Sequence, residues 1–292
     1  MGKGCSVGID LKVTVRLVSE PQEIEGDFHS LLQSVVFIWR ENNLPLPDNF
    51  GWQILSNIPI GQGLKSSSAI SCAALKSLNL ATWAGLNDSE IIDLSVSSQR
   101  HAGCTVTGSM DDSWASISSG WKLVDPQKPA EQSVLIKGEI KDDFCVFIIL
   151  RGKRSNEIIT QNFRTQLTIF ERALSSLSSG SIFHAMSANG LAVAAATGDD
   201  EALRICNNAI ANGALSAAIK EFEGGVLMIS HNSEFFGDIA PEIWEVPGDG
   251  SVKISGAEWM EAVKAKELAE AKAKKNSAPT QEEDKFDALG NK

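Results

Sequence analysis

The chain has little positive charge and no long apolar run. Its 292 residues include 26 Lys and Arg against 37 Asp and Glu, which gives a formal net charge of −11 at pH 7. Nucleic-acid backbones and anionic membranes favour basic protein surfaces, so this balance argues against either as a partner. No apolar stretch approaches the roughly 18 residues needed to cross a bilayer, and the N-terminus lacks a secretion-signal pattern. We therefore predict a cytoplasmic protein.

Cysteine pairs and histidine clusters of metal-binding spacing are also missing. The five cysteines are odd in number and include no Cys-x-x-Cys pair, which indicates reduced and mostly buried thiols. The four histidines show no ligand spacing with one another or with the cysteines. The sequence therefore does not predict a structural zinc site.

Length and periodicity predict two moderate domains of mixed helix and strand. With 43% hydrophobic residues the chain can bury a large core. Apolar residues recur at helical spacing from Phe28 to Trp39, and Phe144 to Leu150 form an apolar run typical of a buried strand. We predict domains at 1–140 and 141–256, followed by a charged helix and a disordered tail at 257–292. Further expected elements are helices within 158–177, 183–197 and 201–213, a strand at 226–230, and irregular structure around 120–137.

A glycine- and serine-rich loop from Pro59 to Ala69 lies between a strand pattern that begins at Trp52 and a helix pattern from Ala69 to Leu80. Its glycines allow a tight turn, and a helix start offers unpaired N–H groups and partial positive charge that suit phosphate. The loop is not a Walker motif, because no Gly-x4-Gly-Lys-Ser/Thr occurs in the sequence. It is not a dinucleotide fingerprint either, because Ser66 takes the place of the third glycine. The alternative is an ordinary strand-to-helix turn with a serine N-cap.

At this loop the chain resembles the GHMP kinases, whose phosphate loop reads Pro-x-x-x-Gly-Leu-Gly-Ser-Ser-x. Within them it is most similar to the archaeal-type shikimate kinases, which read Gly-Leu-Lys-Ser-Ser-Ser-Ala where most members carry glycine in place of Lys65. A second segment, Thr105 to Ser116, resembles the Thr-Val-Thr-Gly-Ala-Phe-Asp-Asp stretch of that family. Weaker similarity runs through Gly2 to Lys12 and Ala185 to Gly190, so the resemblance spans about residues 1 to 230.

The resemblance implies an α+β GHMP kinase fold, with an N-terminal domain like domain 2 of ribosomal protein S5 and a ferredoxin-like C-terminal domain. It implies ATP and Mg²⁺ as cofactors and the phosphorylation of shikimate to shikimate 3-phosphate, a step of aromatic amino-acid synthesis. The alternatives are another small-molecule kinase, of homoserine or mevalonate type, and a catalytically impaired nucleotide-binding relative. The oligomeric state stays open.

The resemblance also assigns roles to individual residues. The expected nucleotide-binding residues are Pro59, Ile60, Gly61, Gln62, Gly63, Leu64, Lys65, Ser66, Ser67, Ser68 and Ala69. Ser67 matches the position whose hydroxyl approaches Mg²⁺, a hard cation that prefers oxygen ligands. Asp111 matches the aspartate that takes or orients the substrate hydroxyl proton, and Asp112 is the second expected metal ligand. Without the surrounding match, two consecutive aspartates would indicate a turn or a helix cap.

Shikimate carries a carboxylate, so a cationic side chain is expected in its site. The candidates are Lys12, Lys65, Arg100, Arg151, Lys153 and Arg154. The last three follow directly on the apolar strand, at a place where strand ends commonly meet ligands, although a solvated basic turn is the alternative.

Two segments depart from the family pattern. The family closes its site with a third loop, Ser-Gly-Thr-Gly-Pro-Ala, which an ungapped match places on Lys220 to Gly225. Glu221 and Glu223 stand there in place of glycines, and their charge would oppose phosphate binding. The family also normally has a strand before the segment that matches Gly2 to Gly4, so we expect an unpaired sheet edge there.

Overall fold

The computed structural model describes residues 2–20, 29–58, 64–105, 110–140, 145–150, 161–219, 226–230, 242–246 and 251–255. Its elements are β1 Gly4–Val7, β2 Val13–Val18, α1 His29–Glu41, β3 Gly51–Ser56, α2 Ser66–Thr82, α3 Asp88–His101, α4 Asp111–Ile117, β4 Trp121–Val124, α5 Ala130–Ser133, β5 Val134–Gly138, β6 Cys145–Leu150, α6 Asn162–Thr165, α7 Leu167–Ser178, α8 Ile182–Thr197, α9 Asp200–Ala211, β7 Ser216–Ile219, β8 Val226–Ser230, β9 Glu242–Val246 and β10 Lys253–Ser255. The mixture of helix and strand is α+β, as predicted.

Helices α1, α2 and α3 pack together over the antiparallel pair β2 and β3. The buried face of α1 presents Leu31, Leu32, Val35 and Trp39 at helical spacing, each with essentially no exposed surface. The Trp39 indole donates a hydrogen bond to the Pro45 carbonyl at 2.7 Å, which satisfies the polar edge of a fully buried ring. The predicted helix from 28 to 39 is therefore confirmed.

Helix α2 begins three residues before the predicted start at Ala69, so the three serines form its first turn. Helix α3 begins with a capping box: the Asn87 side chain accepts from the Glu90 amide at 3.0 Å, and the Glu90 carboxylate accepts from the Asn87 amide at 2.8 Å. The starts of α2 and α3 determine where the polar side chains on these helices lie, among them Ser67 and Ser68 on α2 and Gln99 on α3.

The prediction of irregular structure around 120–137 is wrong. It contains β4, the short helix α5 and β5, and the three-stranded antiparallel sheet has the order β1-β4-β5. Gly120, with a φ of 73°, lies in the turn before β4. The two strands have only four and five residues and lie next to turn residues such as Gly120 and Pro129, so their pattern is not evident in the sequence. β1 pairs with β4, which places the N-terminal segment at an edge of this sheet.

The second large sheet is antiparallel in the order β10-β9-β6-β8-β7. Its central strand β6 confirms the predicted apolar strand, and helices α8 and α9 confirm two of the predicted helices. Phe147 and Ile149 of β6 pack with residues of α8, α9 and β7. A separate cluster joins Trp121 and Leu123 of β4 to Leu177 of α7 and Ala185 of α8, so apolar contact crosses the predicted boundary near residue 140.

Two further sequence predictions bear on burial. Among the described residues no helix is long and apolar enough to cross a bilayer. Cys72 and Cys206 are buried, Cys5 and Cys145 are half-buried and Cys104 is exposed, so the thiols are less completely buried than predicted.

Candidate active site

The described part of the glycine- and serine-rich loop is Leu64 to Ala69, at the start of α2. The amides of Ser68 and Ala69 donate to the Lys65 carbonyl at 3.1 and 3.3 Å, so they belong to the helix. Contact with a phosphate through main-chain N–H groups therefore falls to the loop residues before Ser68. Pro59 to Gly63 lie outside the described residues, so their predicted role stays a prediction.

Lys65 is the N-cap residue of α2 and has a left-handed backbone, with φ 57° and ψ 41°. This conformation costs a side-chain-bearing residue of order 1–2 kcal/mol and is nearly free for glycine. It accounts for the glycine that most GHMP kinases carry at the matching position. Lysine at this position carries a backbone cost that glycine would avoid, and its side chain makes contacts that glycine could not.

Those contacts are made with the aspartate pair at the start of α4. The Lys65 Nζ lies 3.1 Å from Asp112 Oδ2, and the Asp112 side chain is one-fifth exposed. The ion pair joins the phosphate loop to the second predicted metal ligand. The structure thus brings together two segments that are about 45 residues apart in the sequence and that carry the two strongest motifs.

Ser6, on β1, holds both carboxylates at once. Its Oγ donates to Asp111 Oδ2 at 2.7 Å and lies 2.9 Å from Asp112 Oδ1. A hydroxyl shared between two like-charged groups fixes their spacing and lowers their mutual repulsion. The N-cap of α4 is Met110 and makes no side-chain cap hydrogen bond, while both aspartates reach out of the first helical turn to Ser6. Neither aspartate is therefore the N-cap of α4, and both carboxylates contact the hydroxyl of a residue on β1.

The charge of Asp111 also acts on a neighbouring thiol. Burial, and after it the Asp111 carboxylate, raises the pKa of Cys5 to about 12. Cys5 therefore stays protonated and uncharged beside the aspartate pair at neutral pH, and it is a poor nucleophile.

Gln99, on α3, links the two halves of the site from beneath. Its Oε1 accepts from Ser68 Oγ at 2.9 Å and from Ser67 Oγ at 3.3 Å. Its Nε2 donates to Ser113 Oγ at 3.3 Å, one residue beyond Asp112. The side chain is 5% exposed, so this amide is a buried connection between α2 and α4.

The donor set suits a hard divalent cation that is bound mainly through nucleotide phosphates. Ser67 directs its proton toward Gln99, which leaves its oxygen lone pairs for a cation, and Asp112 is an anionic oxygen donor already engaged by Ser6 and Lys65. No group of three or more His, Cys, Asp or Glu side chains gathers in the part of the chain that the structure describes. The residues fit Mg²⁺ held with ATP better than a preformed protein cage.

The cations proposed for a substrate carboxylate are only partly described. Lys12 pairs with Asp10 at 2.9 Å, and Lys65 pairs with Asp112. Arg100 is exposed at the end of α3. Arg151, Lys153 and Arg154 lie outside the described residues, as does the segment from Lys220 to Gly225 that was matched to the third loop.

Ser6 and Gln99 are the two site residues that sequence reasoning missed. Ser6 lies in the Gly2 to Lys12 segment, whose weak similarity was the available signal. Gln99 lies in no motif, and only the packing of α3 against α2 and α4 brings it to the site.

Residues 31–120 match the family model described as the GHMP kinases N terminal domain. The chain is 34% identical over 160 residues to the shikimate kinase of Pyrococcus abyssi, a match that covers 51% of this chain and 57% of that protein. It is 28% identical over 218 residues to the shikimate kinase of Thermoplasma acidophilum, with 74% of each protein covered. The chain thus spans little more than half of the first of these relatives.

A different kind of relative matches a shorter segment. Over 80 residues, 27% of this chain, the sequence is 46% identical to Elongation factor 3A of Saccharomyces cerevisiae, and the match covers 7% of that protein. The match to the elongation factor covers 27% of this chain and the match to the Thermoplasma kinase covers 74%. The two percentages add up to about the whole length of the chain.

Solved structures agree with the family model on the fold. The mevalonate kinase of L. major in complex with R-mevalonate superposes with a TM-score of 0.59 at 14% identity, covering 85% of this chain and 90% of that one. The homoserine kinase of Cytophaga hutchinsonii gives a TM-score of 0.54 at 15% identity, covering 83% and 88%. The fold is that of the GHMP kinases, as predicted.

Proposed function

We propose that this chain, which belongs to the GHMP kinase superfamily, transfers the γ-phosphoryl group of ATP to a hydroxyl of shikimate in a reaction that requires Mg²⁺. The observation that carries the proposal is the contact of Lys65 with Asp112 beside the Ser6–Asp111 hydrogen bond. It brings a phosphate loop, a cation and a carboxylate together, and these are the parts that phosphoryl transfer needs.

Each residue has a distinct task in this proposal. The loop residues before Ser68 hold phosphate oxygens through their amides, and the Lys65 ammonium offsets negative charge between the phosphates and Asp112. Asp111 orients the attacking hydroxyl and accepts its proton as the oxygen–phosphorus bond forms. Bound Mg²⁺ would neutralise charge on the transferring phosphoryl group, with Ser67 and Asp112 as its nearest protein oxygens.

Two observations favour shikimate as the substrate: the lysine at position 65 and the similarity of the chain to two shikimate kinases. Homoserine and mevalonate stay the alternatives, since structures of kinases for both superpose on this fold. At that level of identity a shared fold does not specify a substrate.

The test is ADP release by the purified chain with Mg-ATP and, separately, shikimate, homoserine or mevalonate. Turnover with shikimate alone, lost in Asp111→Ala, is the expected result. Turnover with homoserine or mevalonate in its place would reassign the substrate. ATP binding without turnover on any of the three would favour the impaired nucleotide-binding relative.

The similarity to an elongation factor supports a second proposal about the C-terminal quarter. Residues 31–120 match the kinase domain, and the two matches of 80 and 218 residues add up to about the length of the chain. We infer that they lie side by side, so that the elongation-factor-like segment comprises the last 80 residues or so. Lys220 to Gly225 then belong to this segment, and Glu221 and Glu223 are not altered glycines of a kinase loop. We infer that the part of this segment after the last described strand, residues 256–292, serves an interaction of its own, separate from phosphoryl transfer.

Replacing both glutamates tests this placement. The double variant Glu221→Gly with Glu223→Gly is expected to leave the affinity for Mg-ATP unchanged, because the segment does not take the place of the third loop. A rise in affinity of about tenfold, the gain expected when like charge next to bound phosphate is removed, would return these residues to the nucleotide site.

A further inference from the structure

A buried polar network runs beneath the candidate site between α2, α3 and α4. Ser68, Ser71, Ser95 and Ser113 are each 3% exposed or less, and Gln99 is 5% exposed. Ser71 Oγ lies 2.7 Å from Ser95 Oγ, which lies 3.1 Å from Ser113 Oγ. Burying hydroxyls and an amide costs free energy unless every group is hydrogen-bonded, and apolar side chains would fill the same space without that cost. A fold that needed only packing here would not require this arrangement.

The amide of Gln99 determines which way the loop hydroxyls point. An amide oxygen can only accept, so the hydrogen bonds to Gln99 Oε1 require Ser67 and Ser68 to donate their protons inward. The oxygen lone pairs of Ser67 then face away from Gln99. A hydroxyl binds a cation through those lone pairs, and it does so best when its proton is held elsewhere.

The other end of the same amide reaches the aspartate side of the site. Gln99 Nε2 donates to Ser95 Oγ at 3.2 Å and to Ser113 Oγ at 3.3 Å. Ser113 is fully buried and follows Asp112 directly in α4. One planar group therefore contacts both the first turn of α2 and the first turn of α4, and it fixes the distance between them.

From this geometry we propose that Gln99 is a positioning residue for Mg-ATP: it orients the Ser67 hydroxyl toward the metal and holds the phosphate loop against the aspartate helix. The proposal rests on the proposed function in that it takes the loop to bind Mg-ATP. It does not depend on which alcohol is phosphorylated. Gln99 itself touches neither nucleotide nor metal in this assignment.

The test measures ATP affinity of the full chain in Mg²⁺ and in EDTA, by calorimetry or with a fluorescent ATP analogue. The dissociation constant in EDTA divided by that in Mg²⁺ reports how much the metal strengthens ATP binding. General effects on nucleotide binding cancel in this ratio. Gln99→Met removes both ends of the amide and is expected to lower this ratio about tenfold, the size of one hydrogen bond to a charged centre. Gln99→Glu keeps an acceptor that faces Ser67. Its negative charge repels metal-free ATP more than Mg-ATP, so the ratio is expected to stay at or above the wild-type value.

A double-mutant cycle with Ser67→Ala separates positioning from general structural support. Ser67→Ala alone is expected to match Gln99→Met, and the double variant to lose nothing further, because both act on one hydroxyl. Ser71→Ala is the matched control: Ser71 lies in the same buried network, its hydrogen bonds go to the Ser68 carbonyl and the Ser95 hydroxyl, and the variant is expected to keep the wild-type ratio. Gln99→Asn, which keeps the amide but shortens its reach, replaces Gln99→Met if the methionine variant does not fold.

The outcomes separate this inference from the proposed function. An unchanged ratio in Gln99→Met or Gln99→Asn, or losses that multiply in the double variant, would overturn the positioning role. So would an ATP affinity of the wild-type chain that does not respond to Mg²⁺. A different result is a wild-type chain that turns over none of the three alcohols, with a ratio that falls in Gln99→Met. It would uphold the role of Gln99 while the kinase proposal fails.

Discussion

The Lys65 ammonium lies 3.1 Å from the Asp112 carboxylate, and the lysine reaches it from a left-handed backbone position. A helix start with φ 57° would be less costly with glycine, so the side chain of Lys65 must contribute something that glycine cannot. Its position between the loop and the aspartate pair indicates that the contribution is charge. The ion pair is partly exposed, and pairs of that kind stabilise a fold by about 1 kcal/mol at most. We therefore propose that this ion pair serves the reaction more than the stability of the fold.

Lys65→Gly should separate these contributions. Relief of the left-handed backbone, worth about 1 kcal/mol, offsets the lost ion pair, so we expect the free energy of unfolding to stay within about 1 kcal/mol of wild type. The kcat with shikimate should fall at least about tenfold, because a charge beside the transferring phosphate is gone. Urea unfolding and ADP release measure the two effects.

Lys65→Met is the control for this substitution. It removes the charge but keeps a side chain on the left-handed backbone, so it should be less stable than Lys65→Gly by about 1 kcal/mol and equally slow. A Lys65→Gly enzyme as fast as wild type would contradict the role of the ammonium group.

Ser6→Ala tests the hydroxyl that joins the two carboxylates. Without the shared donor, Asp111 and Asp112 repel each other and their spacing is no longer fixed, so kcat should fall about tenfold, the size of one hydrogen bond to a charged group. Ser6→Thr keeps a hydroxyl on a β-branched side chain that suits strand β1, and it should restore most of the rate. Equal losses in both variants would indicate that the size of the residue, and not its hydroxyl, is what the site requires.

The sequence predicted those parts of this site that local chemistry specifies. The loop, Ser67 and the aspartate pair carry motifs, and the structure brings Lys65 and Asp112 into contact. Ser6 and Gln99 could not be found in that way, because a serine in a short strand and a glutamine in a helix have no local signature. Their significance arises only when β1 pairs with β4 and α3 packs against α2 and α4.

The same distinction holds for the fold. Helix α1 and strand β6 have long periodic or continuous apolar patterns and were predicted closely. β4 and β5 were missed because each is short and lies among turn residues, and because the fully buried Val124 gains its partners from α3, α4 and α5. Tertiary contact, not local propensity, determines such strands.

The cysteines should differ sharply in reactivity with thiol reagents. Burial raises the pKa of Cys72 to about 11, and burial together with Asp111 raises that of Cys5 to about 12, so both stay protonated at pH 8. Cys104 is exposed and should be modified first. Mass spectrometry after timed alkylation at pH 8 should show Cys104 labelled well before Cys5 and Cys72, and early labelling of Cys5 would contradict its burial.

These raised pKa values also predict a loss of stability in alkali. The unfolded thiol, with its usual pKa near 9, releases its proton before the folded thiol does, so the folded state holds more protons between about pH 9 and 11. Stability should therefore fall as pH rises through that window. Cys72→Ala should weaken this dependence, as measured by urea unfolding at pH 8 and pH 10.

Two tryptophans offer a matched comparison of burial. Trp39 is fully buried with its indole bonded to the Pro45 carbonyl, whereas Trp83 is 91% exposed. Trp39→Phe leaves a small cavity and removes the hydrogen bond to the Pro45 carbonyl, so it should lower the free energy of unfolding by about 2–4 kcal/mol. Trp83→Phe should change it by less than about 0.5 kcal/mol. Similar losses in both variants would show that the surroundings of Trp83 are not open to solvent.

Shortened chains should locate the end of the nucleotide-binding unit. All the site residues described lie between Ser6 and Ser113, and the last described strand ends at Ser255. A chain that ends at Ser255 should therefore bind Mg-ATP with wild-type affinity. A chain that ends at Gly213 removes β7 to β10 and leaves Phe147 and Ile149 of β6 without the partners that cover them, so it should unfold at lower urea. Loss of Mg-ATP binding on removal of residues 256–292 alone would assign that segment to the kinase site and contradict the separate task proposed for it.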